Sequence, residues 1–273
     1  MSNTKLNILP LPTFGQLGVN FTERDIKEYE TEEITVGSGE ERSIIQYIDS
    51  ETAAVGTALH LAENSVTKLV QVFAGKDLTV SKLNAELDDG ATLQLIQLYL
   101  GGNDTVSEIV TELNGRRSAF EAHIGYNLSG NEKLDINLNA IQRGRKSRSD
   151  ISVRGVLADC ARKTFKGTID FQNGSSGAKG AEQEEVLLMN ETVQNKTVPV
   201  ILCAEEDVEG SHGATIGRTD EKHIFYMKSR GIPEEKIYEL MARSKLMQII
   251  NMIEDKETKE RIYKALDWGE DIE

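Results

Sequence analysis

Side chains able to bind soft metals or act as nucleophiles are few in this sequence. Its 273 residues include 2 cysteines, Cys160 and Cys203, and 4 histidines, His60, His123, His212 and His223. Thiolate and imidazole are both metal ligands. No C-x-x-C, H-E-x-x-H or G-x-S-x-G spacing occurs, and no G-x-x-x-x-G-K-[ST] phosphate loop. The glycines of residues 174–180 have the composition of such a loop without its spacing, and they read as a turn. Carboxylates are scattered, and no pair stands out as general acid and base.

Cys203 ends an apolar run just ahead of Glu205-Glu206-Asp207. It serves equally as a strand-end packing residue or as a thiolate. Cys160, in Leu157-Ala158-Asp159-Cys160, reads as a small buried hydrophobe. His212 differs: Ser211 and Gly213 leave it accessible in a glycine-rich loop over residues 207–218. A single loop histidine is more often a surface residue than a ligand. His60 and His123 alternate out of phase with apolar neighbours and read as solvent-side strand residues. His223 sits in the first turn of a helix.

The elements that must position these residues are mostly strands. Val55, Thr57, Leu59 and Leu61 alternate with period two, as do the apolar residues of 120–128 and 134–140. Leu93 and Leu95 followed by Ile96, Leu98 and Leu100 shift phase, which predicts a bend or bulge. Many short strands separated by turns fit a sandwich, a barrel or a solenoid, and no strict repeat selects among them. Inward positions hold mainly Val, Ile, Leu and Ala, with few large aromatics, which suits a narrow interior. Residues 1–30 form a peripheral segment with a short helix over 21–26, residues 31–217 the β core, and residues 218–273 a helical tail.

In that tail Thr219 reads as an N-cap, Gly231 as a C-cap glycine, and Pro233 as the first turn of a second helix. Ile237, Leu240, Met241, Ile249, Ile250 and Ile253 form an apolar stripe, and a last helix spans 256–268. By residue type alone, Phe225 and Tyr226 read as core. The apolar faces must pack on the outside of the β domain or on a partner.

Composition excludes whole classes of function. Acidic residues number 45 against 31 basic ones, a net charge of −14. Nucleic-acid and anionic-membrane surfaces need a basic footprint, so neither partner is expected. No apolar run reaches the 20 or so residues that span a bilayer. With no signal-peptide pattern and only 2 cysteines, a reducing cytoplasm is the expected location.

Three segments, in order, resemble the SufB/SufD family, the scaffold subunits of the SUF iron–sulfur cluster assembly machinery. "RGVLADCARKTFKGTIDF" (154–171) resembles its G-x-L-x-x-x-A-R-x-x-F-x-G-x-I stretch. "GAKGAEQEEVLLMNE" (177–191) resembles A-x-Q-x-N-x-x-L-L-L, with Glu185 and Met189 departing from it. "PVILCAEEDVEGSHGAT" (199–215) resembles P-x-L-x-I-x-x-D-D-V-x-x-S-H-G-A-T, and the likeness continues to Pro233.

The resemblance implies a mainly β chain, a right-handed parallel β-helix with a C-terminal α-helical segment. It implies pairing through the β-helix, as a homodimer or with a second SufB/SufD-type subunit. It also implies binding of a SufC-type ABC ATPase, a transient iron–sulfur cluster, and no enzyme activity or bound nucleotide on this chain. His212 matches the family histidine of S-H-G-A-T. Together with Cys203 and Glu209 it is a candidate for the cluster or the interface, and His212 and Cys203 are the candidate metal ligands. Phe225, Tyr226, Arg230, Ile232 and Tyr238 are the candidate ATPase contacts. SufB-type members carry glutamates where Ser211 and Gly213 stand, and a family cysteine is replaced by Gly210. The alternatives are a carbohydrate-active or carbohydrate-binding β-solenoid, and a family member without cluster chemistry.

Overall fold

Alternating apolar residues bury one face of a strand, and here strand after strand stacks that face onto the same column. The computed structural model describes residues 4–13, 15–26, 31–218 and 221–268. Two short antiparallel strands come first, β1 (Thr4–Leu6) and β2 (Thr22–Arg24). The expected helix over 21–26 is therefore a strand edge. The chain then alternates between two sheets. The first four of these strands are β3 (Thr31–Val36), β4 (Glu41–Ile48), β5 (Ala53–Leu61) and β6 (Val66–Phe73). β7 (Leu78–Leu87), β8 (Thr92–Tyr99), β9 (Asp104–Leu113), β10 (Ala119–Leu128) and β11 (Lys133–Gln142) follow. β12 (Arg148–Leu157), β13 (Arg162–Phe171), β14 (Ala178–Leu188), β15 (Gln194–Cys203) and β16 (Val208–Arg218) complete the stack. Odd strands from β3 form one seven-stranded parallel sheet and even strands from β4 the other. This is a parallel β-solenoid, as the resemblance implied.

Each turn aligns with the next without a bulge, but turn length drifts. Glu41 aligns with Val66, 25 residues on. Ala119 aligns with Arg148, 29 residues on, and Arg162 with Gln194, 32 residues on. A drifting period is why no strict repeat is readable. One corner is nevertheless conserved in shape along the stack. Asn64, Gly90, Arg117, Lys146 and Gly177 all have positive φ, between 57° and 76°. Only two of these are glycine, so the corner geometry outweighs the roughly 1 kcal/mol or more that a side chain costs there.

The interior contains more aromatic and polar volume than alternation suggested. Phe73 stacks on Tyr99, with ring centroids 4.9 Å apart and 10° between planes. Tyr126 is the next residue in that column, and Gly155 the one after. A parallel column, Gln46, Gln71 and Gln97, is linked amide to amide at 2.7 Å, and Gln97 accepts from the Tyr99 hydroxyl at 2.8 Å. Each buried amide thus finds its partner in the neighbouring turn.

The phase shift at Leu95–Ile96 is not a bulge. β8 pairs one-to-one with β6 and β10. Leu93 and Leu95 face the interior, while Ile96 and Leu98 face outward beneath the tail. The tail comprises α1 (Glu221–Ser229), α2 (Glu234–Ile250) and α3 (Lys256–Ala265). Thr219, the expected N-cap, lies outside the described residues. Gly231 has φ 83°, as its C-cap role requires, and Pro233 is the residue that caps α2. α3 is shorter than expected, and Trp268 is buried beyond its end. Ile237, Ile249, Ile250 and Ile253 are buried, whereas Leu240 is exposed. The apolar faces of α2 and α3 therefore cover the even sheet of their own chain. Gly125 permits the approach, since a β-carbon there would press on Leu246 and Ile249.

Gly155 is tightly constrained by the aromatic column. A β-carbon on it would lie 2.1 Å from two carbons of the Tyr126 ring, and Tyr126 is fully buried. Gly155→Ala is expected to lose about 1–3 kcal/mol through overpacking, read as a lower urea midpoint by circular dichroism. Tyr126→Leu in the same chain is expected to return part of that loss. An unchanged midpoint for the single variant would contradict this packing.

Candidate functional site

The solenoid stops with both sheet edges open. β15 ends the odd sheet and β16 ends the even one, and among the described residues no strand pairs with either outer edge. The glycine-rich segment expected to be a loop is β16 itself, an eleven-residue strand aligned along β14. Its glycines did not prevent strand formation because β14 supplies a complete ladder on one side. Residues 174–177 do form the expected turn, and Ala178 opens β14.

His212 aligns with Glu182, so it occupies the alternation position that continues an interior column. With no further turn above it, it is exposed. Cys203 aligns with Phe171 at the far end of β15 and is also exposed, its Sγ donating to the Glu205 carbonyl at 3.1 Å. The packing role considered for Cys203 is therefore not realised within this chain. Cys160 is a correction of the same kind. It lies exposed in a turn, after Asp159 at φ 57°. Glu209 is exposed and holds Lys179 at 2.8 Å, an ion pair worth little at the surface.

Of the remaining histidines, His60 is exposed beside Asp88 and Glu86. His123 is half-buried, and burial lowers its pKa. The His223 side chain lies outside the described residues. Among the described residues, no three His, Cys, Asp or Glu side chains are arranged to hold a metal ion.

Directly beneath the open end, the interior turns from apolar to charged. Lys163 and Glu184 are fully buried and in contact. Thr197 donates to Glu184 at 2.6 Å, and the Lys163 ammonium stands 5.7 Å from the rings of Tyr126 and Phe165. Burial lowers the Lys163 pKa, opposed by Glu184. Glu182 is only 4 % exposed and reaches across to Gly167, where any β-carbon would collide with its carboxylate. Burial, reinforced by Glu184, pushes the Glu182 carboxyl up to about 7. This group escaped the reading by residue type. The available signal was parity: Ala178, Gly180 and Val186 face inward, which places Glu182 and Glu184 inward with them.

The candidate ATPase contacts divide. Phe225 and Tyr226, read by type as core, are 74 % and 56 % exposed, and the main neighbour of α1 among the described elements is α2. Arg230 lies over the Tyr226 ring at 5.1 Å. Ile232 is half-buried. Tyr238, by contrast, lines a cavity with Met189 and Trp268 between α2 and the even sheet.

A family model for the SUF system FeS cluster assembly SufBD core domain matches residues 22–245. That span takes in both sheets and most of α2. The chain belongs to the SufBD family. It is 28 % identical over 138 residues to the iron–sulfur cluster assembly protein SufD of Bacillus subtilis (strain 168), covering 50 % of this chain and 32 % of that protein. It is 31 % identical over 110 residues to the SufBD family protein ycf24 of Trieres chinensis, covering 40 % and 23 %. SufD of Escherichia coli (strain K12) is 28 % identical over 107 residues, covering 39 % and 25 %. The matches thus span about a third or less of these relatives. No helix among the described residues is long and apolar enough to cross a membrane.

Glu182 gives the site a pH signature. Its folded pKa of about 7 lies above the ordinary 4.5, so the folded state holds the proton more tightly than the unfolded chain. That stabilisation is complete below pH 4.5 and is lost as pH rises to about 7. Glu182→Gln is expected to gain on the order of 2 kcal/mol at pH 8 and nothing at pH 4.5. Thermal melts at the two pH values check this, and an equal gain at both would refute it.

Proposed function

We propose that this SufBD-family chain is a non-enzymatic scaffold subunit for iron–sulfur cluster assembly, acting in the cytoplasm. The observation that carries the reading is the uncovered last turn, with His212 on one edge strand and Cys203 on the other. An open pair of edges is a surface for strand or edge-on pairing. In a two-fold pair each contact is repeated, so two chains would bring two copies of Cys203 and His212 to one interface. That doubling answers the shortage of ligands within one chain. The cluster is cargo held at the interface and passed on, and the partner is a second copy or another SufB/SufD-type subunit.

α1 is the proposed seat of a SufC-type ATPase. Phe225 and Tyr226 form an exposed aromatic pair next to Arg230, the residue types that dominate binding hot spots. α2 and α3 are already engaged with the even sheet. Nucleotide hydrolysis would then belong to the partner.

Two measurements test separate halves of the reading. Phe225→Ala with Tyr226→Ala is expected to weaken co-purification with a co-expressed SufC-type ATPase by about tenfold or more, without lowering the melting temperature. Undiminished capture would remove α1 from the contact. After anaerobic reconstitution of the complex, Cys203→Ser and His212→Ala are each expected to lower the iron and sulfide retained. Unchanged retention in both would leave a family member without cluster chemistry, the second reading.

A further inference from the structure

The odd sheet carries a basic cavity that pairing and ATPase binding leave unexplained. The N-terminal segment crosses the outer face of this sheet and is held there by side chains from several turns. Lys166 donates to the Asn7 carbonyl at 3.0 Å, Asn137 to the Ile8 carbonyl at 3.2 Å, and Lys196 to the Leu17 carbonyl at 2.9 Å. Between this segment and the sheet lies a cavity of about 220 Å³, lined by Thr22, Arg24, Lys133, Arg162, Thr164 and Lys196 among others.

The charges around it do not balance. The cavity's two carboxylates are already taken: Asp104 by Arg24 at 2.8 Å, and Asp135 by Lys166 at 2.8 Å and by the Asn7 amide at 2.7 Å. Among the described residues, neither Lys133 nor Arg162 has an ion-pair partner. The two are direct ladder partners, so like charges stand side by side, which costs stability in a sheet. One acceptor-seeking group is also buried here, since Arg24 Nε has no acceptor among the described residues. Asp104 flanks Lys133 on its other side but is held by Arg24, and among the described residues no carboxylate besides Asp104 and Asp135 lines the cavity.

We propose that this cavity binds a small oxyanion of the phosphate class, either the free ion or the phosphoryl end of a phosphomonoester. The Arg162 guanidinium offers a planar fork that matches two phosphate oxygens. Lys133 and Lys196 add point charges, and the Thr22 and Thr164 hydroxyls can donate. An anion here relieves the Lys133–Arg162 repulsion and bridges the N-terminal segment to the sheet.

The test is calorimetric titration of the full chain with inorganic phosphate, and separately with glycerol 3-phosphate. Sodium chloride at equal ionic strength is the reference, since exposed charges are screened. The expected result is a dissociation constant of about 1 mM or tighter for at least one of the two. Binding of both identifies the phosphoryl group as the ligand, and binding of phosphate alone identifies the free ion. Lys133→Gln with Arg162→Gln is expected to weaken binding by about tenfold or more. Lys179→Gln, on the other sheet and paired with Glu209, should leave it unchanged. If the double variant melts lower than the parent, Arg162→Lys takes its place. It keeps the charge, loses the fork, and is expected to bind about threefold or more weaker. Heat no greater than chloride produces with either ligand, or equal affinity in the substituted chain, overturns the proposal.

Discussion

A parallel ladder without bulges decides which side chains must share space, and most of this structure follows from that. Each inward residue sits directly over one from the preceding turn. A polar residue buried there is costly unless it finds a partner in its own column or across the interior. Gln46, Gln71 and Gln97 satisfy the requirement by linking to one another. The aromatic column rises through Phe73, Tyr99 and Tyr126 until Gly155 makes room for the last ring; Tyr99 donates to Gln97, whereas the Tyr126 hydroxyl has no partner among the described residues. Lys163 and Glu184 meet the requirement as an ion pair. Removing a lysine or glutamate from water costs several kcal/mol, which a close pair with added hydrogen bonds at best offsets. The charged layer is therefore a poor stabiliser and a notable thing to find in a solenoid core. It lies just inside the open end that the proposed pairing would cover.

The two outer faces are treated differently. α2 and α3 seal the even sheet with an apolar layer, pinned by Lys245 to Glu185 at 2.7 Å. Where the N-terminal segment crosses the odd sheet, polar bonds to its backbone carbonyls hold it in place. One face thus excludes water, and the other keeps charged groups within reach of it.

What was legible in the sequence followed from which faces are wet. Residues 120–128 and 134–140 alternate clearly because their outward neighbours are polar. β8 lacks alternation because the tail covers its outer side, and a strand buried twice has none to display. β16 resembled a loop by composition, and its ladder with β14 overrode the preference of Gly210, Gly213 and Gly217. Phe225 and Tyr226 looked like core because residue type cannot report what lies beneath a helix. The motif around His212 was visible at once. The charged layer was hidden among 45 acidic residues, and the basic cavity assembles residues from opposite ends of the chain.

The tail leaves the stack at its last strand and returns toward its first. Lys245 of α2 engages Glu185 on β14, Glu254 meets Lys68 on β6, and Arg261 of α3 holds Asp49 and lies 3.6 Å over the Tyr47 ring at β4. Solenoids are ordinarily one-dimensional: each turn knows only its neighbours, and the ends fray independently. Here a single segment is fastened to turns far apart in the series. Loss of order at one end would remove contacts from the other, which couples turns that are distant along the stack.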